Sequence, residues 1–276
     1  MANRTGARQR DLIFGRALAM LGIRATSATT ARRRRPATMT PANVRPKAIL
    51  FDLDDTLWPI GPVIARAEQS LHDWLALHAP RVAQACSIEA LRQERLAMLA
   101  REPAFARDLG ALRRAGLHAA FARLGEDGAK VEHAMLHFFA ARNAVELYAD
   151  VLPALQAMGR RHLLGSVTNG NADLHAIGLA GHFSVSVAAS QFGSAKPDPA
   201  IFHAACAGLG VAPADAVYVG DDLLLDVQGA QRAGLRAVWL NRSADTSHLD
   251  HGVLPDAICA DFHQLLAWLE RDCAAI

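Results

Sequence analysis

Two carboxylates, Asp52 and Asp54, stand two residues apart directly after the apolar run Ala48-Ile49-Leu50-Phe51. In extended backbone that spacing points both side chains to one side, so one can attack an electrophile while the other moves a proton. Acids that follow a buried strand are costly unless their charge is compensated, and a hard cation such as Mg2+, with its demand for oxygen ligands, would compensate it. Two later segments have the same form: Thr168-Asn169-Gly170-Asn171, and Gly220-Asp221-Asp222 with Asp226 beyond it. A lone Asp at a strand end usually caps the next turn; the five-residue form D-x-D-x-T is far more specific. Lys196 stands out against the background of arginine, as one of three lysines with Lys47 and Lys130. A lysine kept before Pro197 points to a need for a compact ammonium instead of a planar fork.

These residues act together only if a scaffold gathers the ends of separated strands. Short apolar runs at 48–51, 162–167, 183–188, 216–219, 237–240 and 257–260 predict strands. Helical spacing recurs at 62–77, 87–100, 103–124 and 129–147, all between the first and second strand, and again at 172–179, 199–209, 224–233 and 262–271. Strands alternating with helices imply an α/β fold, a doubly wound parallel sheet covered on both faces. The long helical block is then an insertion. The predicted core is 47–60 with 151–276, and the inserted helical domain is 61–150. In such sheets ligands bind outside the carboxyl ends of the strands, where the acids and Thr168 lie.

Composition narrows the function classes. With 276 residues, 51% hydrophobic and 20% charged, the chain is that of an ordinary globular protein. No apolar run approaches the roughly 18 residues of a membrane-spanning helix. Cys86, Cys206, Cys259 and Cys273 form no CxxC pair and read as scattered buried thiols in a reducing compartment. The first 47 residues hold eleven Lys and Arg against one acid, Asp11, while the rest of the chain has more acids than bases. Residues 1–46 therefore read as a leader: a disordered tail, an organelle transit peptide, or the product of an upstream start with Met39 as the true first residue. Phe14 is the leader's only aromatic, so no nucleic-acid partner is predicted. His133 and His137 share a helix face at i,i+4, but no neighbouring acid completes a metal-binding pattern.

The ordered set of Asp52-Leu53-Asp54-Asp55-Thr56, Thr168, Lys196-Pro197 and Gly220-Asp221-Asp222 with Asp226 resembles the four motifs of the haloacid dehalogenase superfamily. The resemblance spans about 47–274. It implies a Rossmann-like core with a helical cap and a hydrolase that depends on Mg2+. Asp52 would be nucleophile and metal ligand, and Asp54 the acid and base, binding metal through its carbonyl. Thr168 and Asn169 would cradle phosphate, and Lys196 would compensate charge. Asp221 would anchor the metal, with Asp222 and Asp226 in support and Asp226 orienting the metal water or Lys196. The family's dehalogenases lack an acid two residues after the nucleophile, so Asp54 argues for a phosphomonoester hydrolase working through an aspartyl-phosphate. A phosphomutase and a non-catalytic phosphate-binding regulator are the alternatives. The combination of Asp52-Leu53-Asp54-Asp55-Thr56-Leu57, Pro62-Val63-Ile64, Thr168-Asn169-Gly170-Asn171-Ala172 and Val219-Gly220-Asp221-Asp222-Leu223 with Asp226-Val227 is similar to bacterial flavin mononucleotide phosphatases, which also act on the ribitylamino-uracil phosphate of riboflavin synthesis. The implied partner is a small phosphorylated metabolite in the cytoplasm, bound by a monomer or homodimer. Balanced charge, eleven Lys and Arg against eleven Asp and Glu between 61 and 150, predicts no second anionic group on it. Trp58, just past the acids, is the expected substrate contact.

Overall fold

The computed structural model describes residues 45–243 and 252–274; the leader expectations for residues 1–44 lie outside these. Six strands form one parallel sheet: β1 Ala48–Phe51, β2 Leu163–Thr168, β3 Val185–Ala188, β4 Ala216–Gly220, β5 Arg236–Leu240 and β6 Ala257–Cys259. Their order is β3-β2-β1-β4-β5-β6, so the chain leaves β1 toward one edge and later returns to its other side. That reversal creates a crevice at the carboxyl end of β1. Strands β1, β4 and β5 are buried along their whole length, as expected of apolar runs covered on both faces.

The helices run in chain order α1 Ile60–His78, α2 Pro80–Ala85, α3 Ile88–Arg101, α4 Leu109–Leu124, α5 Val131–Asn143, α6 Val151–Gly159, α7 Leu174–Ile177, α8 Ala189–Phe192, α9 Pro199–Gly208, α10 Gly229–Arg232 and α11 Phe262–Ala274. Packing divides the described residues into two units. One is Pro59–Glu146 with Gly170–Gly178, and the other holds the sheet. In the sheet unit, α9 covers β2 and β3, burying Leu50, Val167, Ile201, Phe202 and Tyr218 in one cluster. The opposite face carries Phe51, stacked on Phe262 of α11 at 5.8 Å.

In the helical unit α1 packs along α5. Val63, Ala67, Leu71, Trp74 and Leu75 form its buried stripe, spaced as one helix face. An ionic group shares this interior. Glu68 Oε1 accepts from Arg95 Nη2 at 2.6 Å and from Arg113 Nη1 at 2.9 Å, and all three side chains are buried. The Arg113 guanidinium also lies 3.6 Å from the centre of the Phe138 ring. Burial pushes the Glu68 carboxyl up, but attraction from Arg113 and Arg95 outweighs it and holds the group below its ordinary value.

Two local departures from the pattern have clear causes. The helix expected over 103–124 breaks into a 3-10 turn, Pro103–Arg107, and α4. Asp108 interrupts it because its Oδ1 accepts from Ala111 N at 2.8 Å, capping a new start. Helix α6 was not expected from the sequence, although Val151, Ala154, Leu155 and Met158 are buried at the spacing of one helix face; the segment is short and carries Pro153. It is fixed by packing on β2 and α11.

Candidate active site

The acids converge because β1 lies between β2 and β4. Asp52 N donates to Val219 O at 2.9 Å, extending the β1–β4 ladder one residue past Phe51. Lys196 enters from the loop before α9 and is fully buried. Its Nζ donates to Asp52 Oδ1 at 2.5 Å, to Asp226 Oδ1 at 2.6 Å and to Tyr218 Oη at 3.0 Å. The Tyr218 hydroxyl lies within donating distance of Val167 O, 3.0 Å, and Asp226 Oδ1, 3.2 Å.

Asp226 belongs to a π-helical turn, Leu223–Gln228, that follows β4; such turns concentrate at functional sites. Its Oδ2 accepts from Asp222 N at 2.9 Å. The close return requires glycine at 220, since a Cβ there would lie 2.5 Å from Asp226 Oδ2. Asp221, partly exposed, accepts Trp239 Nε1–H on its carbonyl at 2.8 Å. Ligand atoms of Asp52, Asp221 and Asp226 lie within 4.8 Å of one another. Three carboxylates so close, with one lysine among them, carry uncompensated negative charge that repels itself at low dielectric. A divalent cation with oxygen ligands fits this donor set.

The remaining expected residues fall in different places. Thr168 ends β2, the strand next to β1, and is buried. Asp222 Oδ1 accepts from Leu224 N and Leu225 N, each at 2.8 Å, so this oxygen caps the turn that carries Asp226. Asn169, expected in a phosphate cradle, is bound to the main chain of Lys196. Its Nδ2 donates to Lys196 O at 3.0 Å and its Oδ1 accepts from Lys196 N at 2.8 Å. Both ends of the amide thereby hold the lysine loop, and Nδ2 keeps a second N–H. Trp58, expected to touch substrate, is fully buried and its Nε1 donates to Asp54 Oδ1 at 2.9 Å.

Two residues escaped the sequence reading. Tyr218 looks like core in an apolar strand; its signal was the hydroxyl, which demands a partner when buried. Arg242, two residues past β5, donates to Thr56 O at 3.3 Å and to Asp150 Oδ2 and Oδ1 at 3.1 and 3.2 Å, and stacks 3.9 Å from the Tyr148 ring centre. Burial opposes ionisation of Asp150, but hydrogen bonds from Phe262 N and Arg242 hold its carboxyl below the ordinary range. A cation at a strand's carboxyl end was available as a signal. His133 and His137 line a groove with Trp74 on the helical unit. Among the described residues, only the aspartate group meets metal-binding geometry.

A family model described as haloacid dehalogenase-like hydrolase matches residues 46–234. A 5-amino-6-(5-phospho-D-ribitylamino)uracil phosphatase of Escherichia coli, YigB, is 30% identical over 71% of this chain and 84% of its own length. A structure titled 2-haloacid dehalogenase, from Pseudomonas syringae, superposes with a TM-score of 0.76 at 38% identity, covering 82% of this chain and 98% of the other. A HAD phosphatase from Thermococcus onnurineus gives 0.61 at 27% identity, covering 81% and 97%. The chain belongs to the haloacid dehalogenase-like hydrolase family, and it is an enzyme of the branch in which phosphatases are found.

Proposed function

We propose that the chain is an Mg2+-dependent phosphomonoester hydrolase that passes through an aspartyl-phosphate on Asp52. Asp52 attacks phosphorus and the ester oxygen leaves with a proton from Asp54. Asp54 then takes a proton from the water that hydrolyses the intermediate, releasing phosphate and restoring both carboxyls. Splitting one displacement into two lowers each barrier. Lys196, ion-paired to both Asp52 and Asp226, offsets charge that spreads over the phosphoryl oxygens in the transition state. The Thr168 hydroxyl supplies a further donor there. Asp52, Asp221, Asp226 and the Asp54 carbonyl would hold Mg2+, which would supply charge neutralisation and orientation for the attack.

The observation that carries this reading is the convergence of Asp52, Lys196, Asp221 and Asp226, four residues from two strand ends, a π-helical turn and a loop, on one point. Asp54 favours oxygen over halide as the leaving group. A departing halide needs no proton, whereas an alkoxide does. The 38% identity to a structure titled dehalogenase makes halide release the second reading to test. For substrate we propose a small phosphorylated metabolite of the cytoplasm, with the ribitylamino-uracil phosphate and flavin mononucleotide first. This draws on the activity for which the Escherichia coli relative is named. Purified protein with Mg2+ is assayed for phosphate from these two, from sugar phosphates and from an aryl phosphate, and for halide from 2-chloropropionate. Phosphate without halide is expected; halide without phosphate contradicts the reading.

A further inference from the structure

We propose that Trp58 is the positioning residue for Asp54, its indole N–H fixing which carboxylate oxygen carries the transferred proton. The proposal rests on the reading of Asp54 as acid and base given above. Trp58 Nε1 donates to Asp54 Oδ1 at 2.9 Å, between a fully buried ring and a carboxyl that is 2% exposed. An indole N–H donates and never accepts. Oδ1 is therefore the acceptor whether or not Asp54 is protonated, and the proton given to the leaving oxygen, then taken from water, belongs on Oδ2. The same bond stops rotation about the soft terminal torsion of the aspartate. Rate in proton transfer depends on such alignment.

The backbone is built to bring this ring back to its partner. Asp54 and Trp58 pair in an isolated β-bridge. Asp55 N donates to Trp58 O and Leu57 N to Leu53 O, each at 2.8 Å. Asp55 adopts a left-handed φ of 61°, a conformation that costs a non-glycine residue about 1 kcal/mol or more and that the closed loop sustains. Nucleophile, proton carrier and the holder of that carrier thus lie within seven consecutive residues. Filling the space with an apolar ring would keep the packing but leave the buried Asp54 Oδ1 without this donor.

The test compares kcat/KM on two esters, in wild type, Trp58→Phe and Asp54→Asn. For β-glycerophosphate the departing alkoxide must be protonated, whereas p-nitrophenyl phosphate releases a stable phenolate. Trp58→Phe is expected to lower kcat/KM about tenfold for the alkyl ester, the effect of losing roughly one hydrogen bond in the transition state. The fall for the aryl ester should not exceed about threefold. A merely structural tryptophan would move both esters by one factor, so equal losses, or none, overturn the proposal. If Trp58→Phe does not fold, benzothienylalanine at 58, which has sulfur in place of the N–H, serves for the same comparison and must give the same split. Should Asp54→Asn leave the alkyl ester unaffected, the reading of Asp54 itself fails. Should Asp54→Asn lose that activity while Trp58→Phe keeps it, the positioning role alone fails.

Discussion

Each unit of the molecule buries an ionic network, and the two have opposite composition. In the sheet unit one lysine sits among three aspartates, Asp52, Asp221 and Asp226. In the helical unit one glutamate, Glu68, sits between two arginines. The physics is shared: ions taken from water persist only if partnered. The difference lies in what each network leaves over. The acids stand at the carboxyl ends of parallel strands and carry excess negative charge, a donor set that fits a divalent cation. The arginines lie inside a helix bundle and outnumber their glutamate, with Phe138 facing one guanidinium and the Arg95 Nε buried without a hydrogen-bond partner. Burial of charge alone therefore does not mark a functional site; excess charge beside a crevice does.

Breaking each network should separate chemistry from stability. Asp52→Asn should lower kcat at least about a thousandfold, the scale of removing a nucleophile, with unchanged circular dichroism; near-normal turnover would contradict the assignment. Glu68→Ala strands two buried guanidiniums and should cost about 3–5 kcal/mol in denaturant titration. The loss should be smaller at acid pH. Because Glu68 is held below its ordinary value in the folded chain, its contribution is complete above the unfolded glutamate range of about 4.3 and disappears as pH falls through the folded value. A gap between wild type and Glu68→Ala that stays constant down to pH 2 would sink this account.

Smaller effects sharpen the contrast. Mg2+ at about a hundred times its Kd should stabilise the protein by about 2.7 kcal/mol, read as a rise in Tm. Asp221→Asn should abolish that rise, and Glu68→Gln should leave it intact. Smallest of all, replacing Glu68, Arg95 and Arg113 together by Leu, Met and Met should be neutral or mildly stabilising. A large loss in the triple variant would mean that the helical network does more than satisfy itself.

The sequence made the acids legible because they are local: each follows its own apolar run, and their order along the chain carries the family pattern. The sheet was legible for the same reason, since β1, β4 and β5 are continuous apolar segments. What remained hidden depends on distance along the chain. Lys196, which meets Asp52 across 144 residues, was legible only through its type and the ordered motifs, and nothing near Asn169 reveals that its amide is matched to the Lys196 peptide. Trp58 illustrates the hardest case. An aromatic beside paired acids suggests substrate contact, but after the left-handed turn at Asp55 the ring returns to Asp54. The break at Asp108 could have been foreseen, because the residue is a strong N-cap in mid-pattern.

The central claim is that the carboxylates gathered at the strand ends leave Asp52 to take the phosphoryl group. Acid quenching during turnover of a phosphate ester, followed by mass spectrometry of the proteolysed chain, tests it most directly. The account predicts one added phosphoryl group on the peptide carrying Asp52, absent from Asp52→Asn. Turnover with that peptide unmodified, or with the phosphoryl group on another residue, would contradict it.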